Sequence, residues 1–368
     1  MTQKLRERLN KGGNKLMDVR QQQLMEWAHQ QLLESGLAEQ QPEPLTTVSG
    51  DASFRRYFRC AFQSPNGQAT TVIAVDAPPE KEDNHSFIRV AETLGNRGVN
   101  VPQVLAKDYD QGFMLLSDFG DVLLRDVLDE TCCDKLYTQA LYDLLRLQKA
   151  DFTPELPRYD SALLQREMML FQDWFLGEHL GLALNEDELA LLSETFALLE
   201  ASALEQPMVT VHRDYHSRNI MHVKDQPLGI IDFQDAVFGP FTYDAVSLLR
   251  DCYINWPEEK VRAWALDFKN HFDQQELCEA VPASQFFYWF DLMGTQRHLK
   301  AIGIFSRLNY RDGKSGYLKD IPRTLNYVLN EIEPYAAFEK FRGFLRERVV
   351  PAFLEKQPEA RAHLNGAL

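Results

Sequence analysis

His212-Arg213-Asp214-Tyr215-His216-Ser217-Arg218-Asn219 sets a carboxylate five residues ahead of an amide, and the apolar run Leu228-Gly229-Ile230-Ile231 then ends in a second carboxylate, Asp232. That ordered set suits phosphoryl transfer. Asp214 can accept or orient the proton of an attacking hydroxyl. Asn219 and Asp232 can hold Mg2+ on nucleotide phosphates, because that ion takes hard oxygen ligands, keeps waters and needs only one or two carboxylates beside phosphate. Each residue also has a plain reading, Asp214 as a turn residue capping an amide and Asn219 as a loop-closing side chain. The combination favours chemistry, since a charge at the end of a buried strand, as at Asp232, is costly unless it meets a cation. Catalytic roles are therefore assigned to Asp214, Asn219 and Asp232, with Asn219 and Asp232 as the metal ligands. His212 is expected to brace the loop, and His216 to contact the acceptor or to pack the loop. Asp235 supports the metal loop or binds substrate. Arg213 is a candidate contact for a phosphate or an acid.

Composition narrows the setting. The 368 residues are enough for two lobes. A 45% hydrophobic and 25% charged make-up is that of a globular protein. The formal net charge of -15 disfavours nucleic acid or an anionic membrane as a main partner. No apolar run approaches the roughly 18 residues of a membrane span. The five cysteines are an odd number without ligand spacing, which fits reduced thiols in a cytoplasmic protein; a monomer is expected. Residues 1–16 are basic and polar with no apolar stretch after them, so they are expected to be a poorly ordered extension rather than a secretory signal.

A scaffold must hold that loop, and the pattern for it divides in two. Asp18 can cap a helix from Val19 to about Gly36, with Leu24, Trp27, Ala28, Leu32 and Leu33 at helical spacing. Strands are expected at 45–48, 57–62, 70–75, 101–105 and 112–116, with a helix at 86–97. Ser49-Gly50-Asp51-Ala52-Ser53 is a small-residue turn whose amides, at Gly50 and Ser53, could approach phosphate oxygens; an ordinary hairpin turn is the alternative. Neither a GxGxxG loop nor a Walker sequence occurs. Residues 117–121 are turn-rich and form the candidate hinge. Beyond them helices dominate, at Leu136–Leu145, Glu167–Leu180, Glu186–Leu204 and from Tyr243 onward, interrupted by the strands and loops of Met208–Asp235. The expected fold is α+β and two-lobed, with a small β-rich lobe at 17–117 and a larger, mainly helical lobe at 118–368.

The loop 212–219 resembles the His-Gly-Asp-x-His-x-x-Asn signature of the aminoglycoside phosphotransferase and choline kinase superfamily, with Arg213 in place of Gly. Ile231-Asp232-Phe233 sits where that superfamily has its metal motif. The resemblance implies a protein-kinase-like fold, ATP and Mg2+, and a small-molecule hydroxyl as acceptor. It also implies that adenine stacks between the lobes and pairs with backbone near Leu116–Asp118. A narrower match covers most of residues 17–350. Gly50–Arg59, His212–Asn219, Ile231–Tyr243, Ser247–Tyr253, Gln296–Lys300, Tyr310–Lys314 and Ile321–Arg323 are similar to the bacterial anomeric sugar kinases of peptidoglycan recycling. That family phosphorylates N-acetylmuramate and N-acetylglucosamine at the anomeric hydroxyl, giving sugar 1-phosphates.

Two departures stand out. The third strand carries no Lys for the nucleotide phosphates; Asp76 lies near its place, and Glu92 is the only carboxylate of the next helix. Arg55 and Arg56 are candidates to neutralise phosphate, as Arg suits bidentate contact; the alternative is that both are strand-face charges. An acceptor bearing a lactyl carboxylate calls for inward basic residues, and Arg250, Arg297, His298, Lys300, Arg307 and Arg311 are available. Arg250 could instead form a helix-surface ion pair. The aromatics at 289–293 could wall a sugar or simply pack the core. Rival readings are a kinase for another acceptor, such as an aminoglycoside, choline or homoserine, and a catalytically silent nucleotide-binding module. The Arg-rich segment 297–323 argues against a cationic acceptor, whose pocket needs carboxylates or an aromatic cage.

Overall fold

Alternating apolar residues build one face of a sheet. A computed structural model describes residues 18–48, 54–150, 152, 156–276 and 279–364. The chain divides into two units, one holding the residues up to Glu92 with Pro102–Phe119, the other holding Thr93–Val101 with the residues from Gly120 onward. The candidate turn 49–53, with Gly50 and Ser53, and the extension 1–16 lie outside the described residues.

In the first unit, α1 (Val19–Glu34) starts at Asp18, whose carboxylate accepts from the Gln21 amide at 2.8 Å. Strands β1 (Thr46–Thr47), β2 (Arg56–Gln63), β3 (Ala69–Asp76), β4 (Val104–Asp108) and β5 (Phe113–Ser117) form an antiparallel sheet in the order β1-β2-β3-β5-β4. Phe58, Cys60, Phe62, Val72, Ala74, Phe113 and Leu115 recur every second residue and bury against Leu24, Ala28 and Leu32 of α1. Full burial of such side chains is worth about 1.5–3 kcal/mol each. The strand expected at 101–105 starts later, at Val104, because Pro102 has no N–H to give to a ladder. Helix α2 (Asn84–Asn96) follows Asp83, whose carboxylate accepts from the Ser86 amide at 2.9 Å.

The charges of this unit are paired among themselves. Asp76 is fully buried at the end of β3 and accepts from Arg20 Nε at 2.9 Å and Arg56 Nε at 3.0 Å. Arg56 also holds Asp18, whose carboxyl is lowered to about 2, chiefly by that contact. Arg55, expected at the nucleotide, is buried, lies 3.2 Å from Glu82 and sits over the Phe87 ring at 4.9 Å. Asp118 pairs with Arg59 through contacts of 2.5 and 3.1 Å. Glu92 pairs with Lys107 at 2.8 Å. The buried end of β3 is thus an anion with two guanidinium partners.

The second unit holds α3 (Cys133–Gln148), α4 (Ser161–Leu170), α5 (Glu186–Leu204), α6 (Thr242–Leu249), α7 (Glu258–Asp273), α8 (Ala283–Asp312) and α9 (Ile321–Ile332). The helix expected at Glu167–Leu180 begins earlier, at Ser161, because the Asp160 carboxylate caps it through the Leu163 amide at 2.9 Å. From Phe171 to His179 it continues in π register. Two short antiparallel ribbons interrupt the helices: β6 (Met208–Val211) with β9 (Val237–Pro240), and β7 (Ile220–Met221) with β8 (Gly229–Ile230). Helix α8, 30 residues long, spans about 45 Å. It packs tightly through Gly303, where a Cβ would lie 2.3 Å from the Leu170 carbonyl carbon.

Candidate active site

The two ribbons deliver the sequence motif to one place. Ile231 N donates to Asn219 O at 3.0 Å, which fastens the strand ending in Asp232 to the loop ending in Asn219. The Asn219 amide nitrogen then donates to the Asp214 carbonyl at 3.0 Å and to Asp232 Oδ2 at 3.2 Å. Gln234 Nε2 donates to Asp232 Oδ1 at 2.7 Å. Arg213 (φ +76°) and Asp232 (φ +67°) are both in the left-handed region, which costs roughly 1–2 kcal/mol for a residue with a Cβ. Such strain persists only where surrounding contacts over-determine it, commonly at functional sites.

Three buried carboxylates hold the loop around Asp214. Asp244, on α6, accepts from His212 N at 2.6 Å and Arg213 N at 3.1 Å. Burial pushes its carboxyl up to about 7 despite the two amides. Asp251 accepts from Ser217 N at 2.9 Å, Ser217 Oγ at 2.5 Å and Tyr253 N at 2.9 Å. Glu167, on α4, takes Arg213 Nη2 at 2.6 Å and Lys300 Nζ at 3.1 Å on one oxygen and the Tyr159 hydroxyl on the other. The loop is therefore pinned at Arg213 and at Ser217, on either side of Asp214.

His212 has the bracing role its type suggested. Its Nε2 donates to the Ile231 carbonyl at 3.0 Å, and its Nδ1 accepts from Asp214 N at 3.3 Å. Both bonds together fix one neutral tautomer, and burial lowers the imidazole to about 4.

Asp214 itself is poised as an anion. Among the described residues its carboxylate makes no hydrogen bond, while its amide and carbonyl are held by the loop. Burial pushes its carboxyl up, but Lys300 first, then His216, His212 and Arg213, bring it below the ordinary carboxylate value. Lys300 is buried on α8 and also donates to the Tyr243 hydroxyl at 2.9 Å. Arg297, one turn earlier on α8, is 6% exposed, and its one hydrogen bond among the described residues goes to Cys252 Sγ at 3.7 Å.

Not every expected residue points at this chemistry. The Arg250 guanidinium reaches Asp291 at 2.8 Å, Glu258 at 2.7 Å and Glu331 at 3.2 Å, and so joins α6 to α7, α8 and α9. Arg213 likewise spends its guanidinium on Glu167 and on the Asp235 carbonyl, at 3.4 Å, while the Asp235 side chain is exposed. His216 lies edge-on to Tyr253, with ring centroids 5.4 Å apart. In the first unit, Leu116 is buried within β5, between β3 and β4. Glu167, Asp244 and Asp251 were missed, although a lone carboxylate inside the apolar run Phe241–Leu249 was a visible sign for Asp244.

For a cation, the donor set fits Mg2+. An amide oxygen and a carboxylate, Asn219 and Asp232, are what that ion takes from a protein when phosphate supplies the rest. Among the described residues no three His, Cys, Asp or Glu side chains converge into a cage for a tighter-bound metal.

A family model described as "Phosphotransferase enzyme family" matches residues 44–280. The N-acetylmuramate/N-acetylglucosamine kinase of Pseudomonas aeruginosa is 45% identical over 319 residues, covering 84% of this chain and 91% of that protein. The protein of the same name in Pseudomonas putida is 41% identical over 323 residues, covering 86% and 92%. Among solved structures, an ethanolamine kinase of Plasmodium vivax overlays with a TM-score of 0.57 at 12% identity, covering 91% of this chain and 95% of that one. That likeness establishes a protein-kinase-like fold.

Proposed function

The chain belongs to the phosphotransferase enzyme family, and from that membership we propose that it is an ATP-dependent kinase acting on the anomeric hydroxyl of N-acetylmuramate and N-acetylglucosamine. Relatives at 41–45% identity that match over nearly their whole length carry those two sugars in their names. The observation that carries the reading is the Asn219 amide, which ties the Asp214 backbone and the Asp232 carboxylate into one constellation.

In this mechanism Asp214, kept ionised beside Lys300, accepts the hydrogen bond of the sugar C1 hydroxyl and aims its oxygen at the γ-phosphate. An anomeric hydroxyl is more acidic than an ordinary alcohol, so a carboxylate is a sufficient base. Asn219 and Asp232 would hold Mg2+, which neutralises charge moving toward the leaving ADP. The chain's own contribution is otherwise positional: His212 sets the angle of the Asp214 backbone, and Asp244 and Asp251 fix the loop on either side. Arg297 and His216 are proposed to line the acceptor site.

A silent nucleotide-binding module is the second reading, favoured by Asp76 standing in place of the strand Lys. ADP release from ATP and Mg2+ separates the two. Wild type is expected to turn over on both amino sugars and not on choline or kanamycin. Asp214→Asn should lose at least about 100-fold in kcat, the usual worth of a general base, while still binding nucleotide. Turnover confined to a cationic acceptor would overturn the sugar assignment. Nucleotide binding without turnover on any acceptor would favour the silent module.

A further inference from the structure

One cation beside the catalytic loop is held by aromatic rings rather than by a carboxylate. The Arg218 guanidinium lies 4.7 Å from the Tyr253 ring centroid and 5.6 Å from that of Tyr317. Phe305 closes the set, at 6.4 Å from Tyr253 and stacked at 5.7 Å on Tyr317. Arg218 is half-buried, and among the described residues no carboxylate forms an ion pair with it. Nearby Asp251 is occupied by the Ser217 and Tyr253 donors. Arg297, nine-tenths buried, reaches the neighbouring Cys252 Sγ at 3.7 Å, has no carboxylate within ion-pair distance in that set, and acts with Arg218 on the same His216 imidazole.

Neither guanidinium has a carboxylate within ion-pair distance among the described residues, whereas Arg213 and Arg250 of the same unit each have one or more. Burying a charge without a counter-ion costs several kcal/mol. The aromatic faces offset part of that for Arg218 and hold its planar fork open to bidentate binding. Arg218 directly precedes Asn219, so the fork borders the acceptor end of the catalytic loop.

We propose that Arg218, carried on Tyr253 and Tyr317 and paired with Arg297, is the receptor for a carboxylate on the acceptor sugar, and that it makes the enzyme prefer N-acetylmuramate over N-acetylglucosamine. The proposal rests on the amino-sugar reading above. It assigns the lactyl carboxylate, the one group by which these two acceptors differ in charge, to a named pair of side chains. The same fork could in principle grip a nucleotide phosphate, and the experiment separates these sources.

The test is kcat/KM for N-acetylmuramate, its lactyl methyl ester and N-acetylglucosamine, with KM for ATP, in wild type, Arg218→Gln and Tyr317→Leu. Arg218→Gln should lower kcat/KM for N-acetylmuramate by roughly 10- to 100-fold, the worth of a charged hydrogen bond, and leave N-acetylglucosamine within about twofold. Wild type should lose a similar factor on the ester, and Arg218→Gln should no longer distinguish ester from acid. Tyr317→Leu should move the sugar preference in the same direction by less. An equal loss on both sugars with a raised KM for ATP would assign the fork to phosphate and overturn the proposal. An unchanged sugar preference in Arg218→Gln would overturn it too. If wild type turns over neither sugar, the amino-sugar reading itself has failed and this inference falls with it.

Discussion

Lys300 is the leading charge that favours the ionised form of Asp214. Burial alone would raise this carboxyl, and the Lys300 charge is the largest of those that bring it down. The sign of the pH dependence follows. A base that must be ionised gives a rate that falls on the acid side through its folded pKa, so the acid limb of kcat should lie below the ordinary carboxylate range. Lys300→Met removes the leading lowering charge and leaves burial in command, so the limb should move to higher pH, while Lys300→Arg should hold it near the wild-type position. A pH–rate profile of the three proteins checks this, and an unmoved limb in Lys300→Met would show that Lys300 does not set it. Glu167 keeps Arg213 as a second partner, which limits the structural cost of the change. The residues of the motif were legible because their chemistry is local: Asp214, Asn219 and Asp232 lie within one stretch of chain. Glu167 was not, because it arrives from α4, far away in sequence, with no local signature; Lys300 was read as an inward basic residue but not as the partner of Asp214, because α8 is equally distant.

Helices and strands are easier to read from sequence than the partners of their charges. The strands β2 and β3 and the helical spacing in α1 were readable, since β-branched content and period are local properties. The fate of Arg250 was not, because its partners sit on three other helices. It ties α6 to the middle of α8, where Gly294 admits the Glu331 carboxylate: a Cβ there would meet Glu331 Oε1 at 2.3 Å. Arg250→Met should therefore lower stability by about 3–5 kcal/mol, the cost of stranding buried acids. The fraction that stays folded should keep the wild-type KM for sugar. Urea unfolding with steady-state kinetics measures both. A raised KM with unchanged stability would return Arg250 to the substrate.

Over the full chain, acidic composition and a basic site coexist. The net charge of -15 discourages polyanions in general, while Lys300, Arg213, Arg297 and Arg218 gather around the catalytic loop of the second unit. That placement both ionises Asp214 and suits an acidic acceptor. No helix among the described residues is long and apolar enough to cross a membrane. The first unit deals with its own charges internally, through Asp76, Arg20, Arg56, Arg59 and Asp118. Composition carries the sign of the whole; only the folded chain shows which four cations meet at the catalytic loop.

If Asp214 directs phosphoryl transfer to an anomeric oxygen, the position of phosphate on the product must show it. Wild type would be incubated with ATP, Mg2+ and N-acetylmuramate, and the purified product examined by 31P–1H correlation. Phosphorus should couple to the sugar H1, the phosphate should be acid-labile, and Asp214→Asn should yield roughly a hundredth of that product or less in the same time. Phosphorus coupled to H6 instead, in an acid-stable ester, would contradict the assignment of Asp214 to the anomeric hydroxyl.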